Sequence, residues 1–410
     1  MESNQNDAVV YTAQAAGASV TGEVSLSVGE DSLAVIGLTL QIPYAHIRSF
    51  TIENYGVTVV TDSGEYRFQR MGSDGEPFYD ALYDAYNNKV RKALFVSEAP
   101  IITTRGEYRY DECGDKAQGT ALFEVYPNCV LILPPNDRAR RVPLCFVTAM
   151  ENGNFTLTLR LDTGESYTFV KLGYDTDPFH DALEKQLRIL RENALLAVKK
   201  LDPSLTTIQA TTVARQMPEG VAVPFGTLSA IAPSFVTALE TEIKQTRPEE
   251  FEVLKTICDP KTIYAGIMKR FTQGASDTGE DSEVLIDVDV ADLNAQDETM
   301  VWLLAPGENG HTAAVEFAVA EGESAATFIY RFEGGFDSFA RSFNRALEAI
   351  SFKREGIRLS EQELLKPEYA HYFMAARRNN ALRLIRACYL SRVIHASPEK
   401  WKAGLLAYMR

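Results

Sequence analysis

Between residues 41 and 96 the apolar pattern changes period once. Val57 and Val59 alternate with polar positions, and Tyr66 and Phe68 resume the alternation after Asp62-Ser63-Gly64. A period of two bounded by a turn tripeptide predicts a half-buried hairpin. Glycine supplies the positive φ that such a tight turn needs. Beyond Gly72 the period lengthens, and Phe78, Leu82, Tyr86 and Val90 fall at i, i+4, i+8 and i+12. That spacing predicts a helix with one apolar face. Pro77 stands in its first turn, where proline is tolerated.

Residues 141–198 repeat this order: Leu157 and Leu159, Asp162-Thr163-Gly164, Tyr167 and Phe169, Gly173, Pro178, then Phe179, Leu183, Leu187 and Leu190. Aligned at an offset of 100, Pro43 matches Pro143 and Asp62 matches Asp162. After a one-residue shift, Gly72 matches Gly173, Pro77-Phe78 matches Pro178-Phe179, and Ala81-Leu82 matches Ala182-Leu183. An internal repeat means one structural unit used twice. Shorter strands are expected upstream: Gly22–Val28, Ser32–Gly37 and Leu38–Pro43 in the first copy, Thr120–Tyr126, Cys129–Leu133 and Arg141–Leu144 in the second. Each unit then holds six or seven antiparallel strands and a closing helix.

Gly22/Val24/Leu26, Ile42-Pro43, Asp62-Ser63-Gly64-Glu65, Tyr66/Phe68 and Pro77-Phe78 stand in an order that resembles pleckstrin-homology-like (PH-like) domains. Tandem units of that kind occur in bacterial proteins and, more distantly, in histone-chaperone subunits of the FACT complex. The resemblance covers roughly residues 19–200 and implies a bent antiparallel sheet capped by a C-terminal helix. It implies no particular activity, because one superfold carries many functions.

The expected architecture is α+β and multidomain, with PH-like units at 19–98 and 111–200. A divergent third unit is expected at 205–355, interrupted by a helical insertion at 236–272. Its strands are read at 284–290, 301–305, 313–319 and 326–332, before a helix with Phe339, Phe343, Leu347 and Ile350 on one face. Pro218-Glu219-Gly220 reads as a turn between two short strands. Asp259 and Pro260 open a helix that ends near Phe271. The alternative for 284–355 is a separate small α+β module. Residues 356–410 read as basic helices, with Leu382, Ile385, Tyr389 and Val393 on one helical face.

Charge sharpens this picture. The 410 residues carry a formal net charge of −15. Twelve Lys/Arg against five Asp/Glu from Lys353 to Arg410 make that tail +7, whereas Phe271–Ile350 stands at −13. An acidic whole argues against a general nucleic-acid binder and disfavours an anionic membrane surface. The basic tail either docks on its own chain or faces an acidic partner. The 45% hydrophobic fraction excludes wholesale disorder. No apolar run approaches the ~18 residues of a membrane span. The first residues lack the basic and apolar regions of a secretory signal, so a cytoplasmic location is expected. Five cysteines without CxxC spacing fit neither a disulfide framework nor a zinc knuckle.

The five histidines lack HxxxH spacing, so no metal is expected, and no phosphate-loop or nucleophile-elbow motif indicates a cofactor or an enzyme. One binding constellation stands out: Arg138, Arg140 and Arg141 in the second unit's hairpin loop, a candidate anion site. The reading is a non-catalytic scaffold that binds protein or peptide partners. The alternative is an anionic lipid or phosphate binder using those arginines and the basic tail.

Overall fold

The structure, a computed structural model, describes residues 9–17, 19–269, 299–317, 326–350 and 355–410. The strand expected at 284–290 lies outside them. The fold is α+β, with three antiparallel sheets among the described residues. The chain divides into two units. One holds Met1–Pro143, Val147–Leu183 and Leu359–Arg383; the other holds Leu144–Phe146, Glu184–Arg358 and Leu384–Arg410.

The first sheet contains β1 (Val10–Gly17), β2 (Val20–Val28), β3 (Ser32–Ile36), β4 (Leu40–Pro43), β5 (Ile47–Glu53), β6 (Gly56–Thr61) and β7 (Gly64–Gln69). Its order is β4-β3-β2-β1-β7-β6-β5. Helix α1 (Gly75–Ala93) follows and lays its predicted apolar face on this sheet. Phe78 meets Tyr11 and Phe68 edge-on, and the Phe50 ring of β5 contacts Tyr79, Tyr83 and Tyr86. Burying each such ring contributes roughly 1.5–3 kcal/mol.

The second sheet repeats the plan with β8 (Ile102–Glu112), β9 (Asp115–Val125), β10 (Cys129–Leu133), β11 (Arg140–Pro143), β12 (Val147–Gly153), β13 (Thr156–Leu161) and β14 (Ser166–Val170). The order is β11-β10-β9-β8-β14-β13-β12, and α2 (Thr176–Leu201) follows. Backbone details recur as well. Tyr55 and Phe155, Arg70 and Lys171, and Gly72 and Gly173 all take positive φ at matching positions. Both copies begin earlier than the expected boundaries at 19 and 111. The added strands β1 and β8 are the ones that join the two halves of each sheet.

The remaining elements, in chain order, are α3 (Thr207–Gln216), β15 (Val223–Pro224), α4 (Phe225–Ile231), α5 (Pro233–Thr246), α6 (Pro248–Ile257), β16 (Tyr264–Lys269), β17 (Thr299–Pro306), β18 (Thr312–Phe317), β19 (Ala326–Arg331), α7 (Phe336–Ala349), α8 (Glu355–Arg358), α9 (Glu361–Leu364), α10 (Ala370–Arg378), α11 (Asn380–Cys388), β20 (Tyr389–Ile394) and α12 (Pro398–Met409). The third sheet runs β15-β16-β17-β18-β19-β20. Trp302 and Tyr330 meet Phe343 of α7 on one face. Val301, Leu303 and Ala305 join the other face to a core with Val213, Leu228, Phe235, Phe251 and Trp401.

Four expectations are corrected here. Residues 207–216 form a helix, not a strand, because Thr206 and Gln209 make a reciprocal capping box at its start. Asp259 caps only a single 3-10 turn, and the chain then extends into β16, so the insertion is helical only to Thr262. The tail is not wholly helical, since Tyr389–Ile394 pairs with β19 as the last strand of the third sheet. The strand order of that sheet does not reproduce the order of the first two. No described helix is long and apolar enough to cross a membrane.

Candidate functional site

Helix α1 is shared between the two repeats. Tyr83 Oη donates to the Leu133 carbonyl at 2.5 Å and accepts from the Leu122 N–H at 3.2 Å. Arg91 reaches Glu124 of β9 with Nε and a terminal nitrogen, at 2.8 and 2.6 Å. Tyr126 Oη donates to the same carboxylate at 2.7 Å, so a glutamate only 3% exposed is fully paired. The turn after β10 adds backbone pairing. The Phe50 N–H donates to the Pro135 carbonyl, and the Asp137 N–H donates to that of Arg48. The two repeats thus form one continuous body.

A third piece of chain is seated on that body. Helix α10 lies against α1 and the Tyr44–His46 turn. Its apolar side, Tyr372, Met374 and Ala375, is buried, and the Tyr372 ring lies tilted against Phe95, 6.3 Å between centroids. Two consecutive arginines then take different roles. Arg377 holds Asp62 with both terminal nitrogens, at 2.5 and 2.8 Å, while Arg48 Nε donates to Asp62 Oδ1 at 2.8 Å. His46 Nδ1 lies 3.1 Å from Oδ2. The Arg377 guanidinium holds the Asp62 carboxyl well below the usual carboxylate range; burial works the other way, and Arg48 and His46 add to the lowering.

Arg378 is 1% exposed. Its terminal nitrogens donate to Tyr86 Oη at 2.7 Å and to the Met374 carbonyl at 3.3 Å, and the guanidinium lies 5.5 Å from the Tyr86 ring centroid. Tyr86 Oη in turn donates to the Asn136 carbonyl at 2.8 Å, which links the helix to both repeats. Just beyond, Asn380 Nδ2 donates to Glu112 and Asp115 at 2.9 and 3.2 Å.

Of the arginines singled out from the sequence, Arg140 and Arg141 are buried and Arg138 is not. Arg140 is buried, bridges Glu112 and Asp115 at 2.8 Å each, and covers the Tyr110 ring. Arg141 is buried too, and donates to the Leu94 carbonyl at the end of α1. Arg138 is on the surface and pairs with Asp115 at 3.0 Å. Arg140 and Arg141 belong to β11, not to a solvated loop, and the structure brings Arg138 and Arg140 together on a carboxylate. Sequence reasoning missed their partners Glu112 and Asp115, and it missed Asp62, Tyr86 and Asn380. Asp62 had a signal, being retained as Asp162 in the second copy.

The second unit holds a buried polar chain. His395 Nδ1 lies 3.0 Å from Glu250 Oε1, and its Nε2 lies 3.0 Å from Thr327 Oγ1 and 3.3 Å from Glu316 Oε2. A carboxylate, an imidazole and a hydroxyl in that order suit nucleophilic catalysis. Here the hydroxyl is committed elsewhere. Thr327 donates to Glu316 and accepts from Trp401 Nε1 at 2.7 Å, with no exposed surface. Burial opposes the charge on His395, but hydrogen bonds to Glu250 and Glu316 outweigh it and push the imidazole up to about 9. The chain is therefore a buried cation bridging two acids. On α2, His180, Asp181 and Glu184 bring ligand atoms within 4.8 Å of one another at the surface, an arrangement common without an ion.

No protein-family model matches the chain, and no curated protein sequence does.

Proposed function

We propose that this protein is a non-catalytic scaffold whose two repeats are PH-like units that together bind arginine-bearing helices. The PH-like reading is supported by the shared strand order and the helix that follows each sheet. One observation carries the binding reading: the double repeat already holds a helix, α10, through a bidentate Arg377–Asp62 pair and a buried Arg378. Helix-in-groove recognition uses an apolar face plus a few polar anchors, and both are present. A partner helix with two adjacent arginines would exchange with α10.

A labelled synthetic peptide of residues 359–383 tests this. Added to the full chain carrying Arg377→Ala and Arg378→Ala, it should bind at least 10-fold more tightly than to the unsubstituted chain, whose seat is filled. A correctly folded substituted chain that fails to bind the peptide would overturn the reading.

A further inference from the structure

The two repeats differ in what lies beside their last strands. In the first, the outer edge of β5 is occupied. The turn Pro135-Asn136-Asp137 sits against it, with the Phe50 N–H donating to the Pro135 carbonyl at 2.9 Å and the Asp137 N–H donating to the Arg48 carbonyl at 2.8 Å. Ser49 and Asn136 form the bridge between them.

In the second repeat the same edge belongs to β12, which is last in its sheet. Its backbone matches β5 in detail. Both strands shift register at the same place, between Ile47 and Ser49 and between Val147 and Ala149. Phe50 faces Val59 across the ladder, and Met150 faces Leu159. The following hairpins share a left-handed aromatic residue, Tyr55 or Phe155. The Met150 N–H and the Thr148 carbonyl therefore point outward, as their counterparts at Phe50 and Arg48 do. Among the described residues no strand or turn pairs with them. Thr148, Glu151, Asn152 and Gly153 are exposed, and the strand carries neither the proline nor the lysine that commonly blocks an edge. The bulge does not block it either, because β5 is paired despite the same bulge.

We infer that the β12 edge takes up a short Pro-x-y turn of a partner protein by backbone pairing, as β5 takes up Pro135-Asn136-Asp137 within the chain. The chemistry of that segment follows from the occupied copy. Its first residue offers only a carbonyl, so proline is accepted there. Its third must offer an N–H, so proline is excluded there. The inference rests on the scaffold reading only in assigning the segment to a partner, and it concerns a different surface from the arginine seat.

The probe is a synthetic peptide with the sequence of residues 132–138, titrated into isotope-labelled full-length protein. Its amide shifts should saturate at Thr148, Met150 and Glu151, with a Kd on the order of 1 mM for so short a pairing. Met150→Pro removes the outward N–H and should abolish those shifts. A peptide N-methylated at the Asp137 position should fail on the unsubstituted chain, which keeps the test valid if Met150→Pro folds poorly. In the free protein the Met150 amide should exchange with solvent at least 10-fold faster than the Phe50 amide. Equal protection of the two amides, no shifts at β12, or equal binding of the N-methylated peptide would overturn the inference. So would self-association of the free chain that Met150→Pro abolishes, which would make the edge a contact between copies. Asp62→Ala should leave this binding unchanged, so failure here and failure of the arginine seat are separable.

Discussion

Arg377 and Asp62 are 315 positions apart in sequence and share two hydrogen bonds. The pair ties the segment around α10 to the first repeat. Asp62→Ala should therefore loosen residues 359–383 selectively. A partly exposed bidentate pair contributes on the order of 1 kcal/mol. Limited trypsin digestion should cut first after Arg377 or Arg378 in the variant and not in the unsubstituted chain. Because the Asp62 carboxyl is held below its ordinary range, its contribution is present above the unfolded carboxylate value near 4 and is lost as pH falls toward the folded value. Below about pH 4, where an acid-active protease such as pepsin replaces trypsin, cleavage within residues 359–383 should become faster on acidification, and the Asp62→Ala chain should lack this acid response.

The joint between repeats makes a second expectation. Arg91→Ala leaves Glu124 buried with only Tyr126 and no cation, which costs about 3 kcal/mol or more. Replacing both partners with apolar residues, Arg91→Met and Glu124→Leu, should recover most of that loss. Urea unfolding of the two variants and the unsubstituted chain gives the comparison. A double variant no more stable than Arg91→Ala would show that the ion pair is more than a satisfied burial.

How much of this was legible in the sequence depends on distance along the chain. The hairpin–helix pairs of both repeats were, because Val57, Val59, Tyr66, Phe68 and then Phe78, Leu82 and Tyr86 carry a local period. Strand β1 was not, since its inward residues are Tyr11 and two alanines, Ala13 and Ala15, which give little apolar contrast. Strand β8 is mostly polar. Strand β20 misled for another reason. Tyr389 and Val393 continue a helical spacing from Leu382 and Ile385, but the unpaired side of β19 takes them as a strand. Tertiary pairing overrides local preference there. The seat was legible only as its parts, a basic tail and a retained Asp62. No local period can pair Arg377 with Asp62 or Arg140 with Glu112.

His395 makes the second unit sensitive to alkali. A histidine raised to about 9 stabilises fully below its unfolded value near 6.5 and loses that contribution as pH rises through 9. The gain is on the order of 3 kcal/mol at neutral pH. The facing groups are Glu250 of α6, with Arg247 beside it, Glu316 of β18, Thr327 of β19 and Trp401 of α12. Urea midpoints of the second-unit transition, followed through Trp302 and Trp401 fluorescence, should fall between pH 7 and 10. In His395→Gln they should start lower and stay flat across that range. A parallel fall in the variant would assign the alkaline loss to other groups.

The Asp62 side of the double repeat is proposed to recognise an arginine helix supplied by another molecule. A charge swap tests it most directly. The full chain carrying Arg377→Ala and Arg378→Ala is titrated with the 359–383 peptide, then again with Asp62→Arg in the chain, with Arg377→Asp in the peptide, and with both. Each single swap is expected to weaken binding at least 10-fold, and the double swap to restore it to within a few-fold of the original. Losses that simply add in the double swap would mean that Asp62 and Arg377 do not meet across the bound helix.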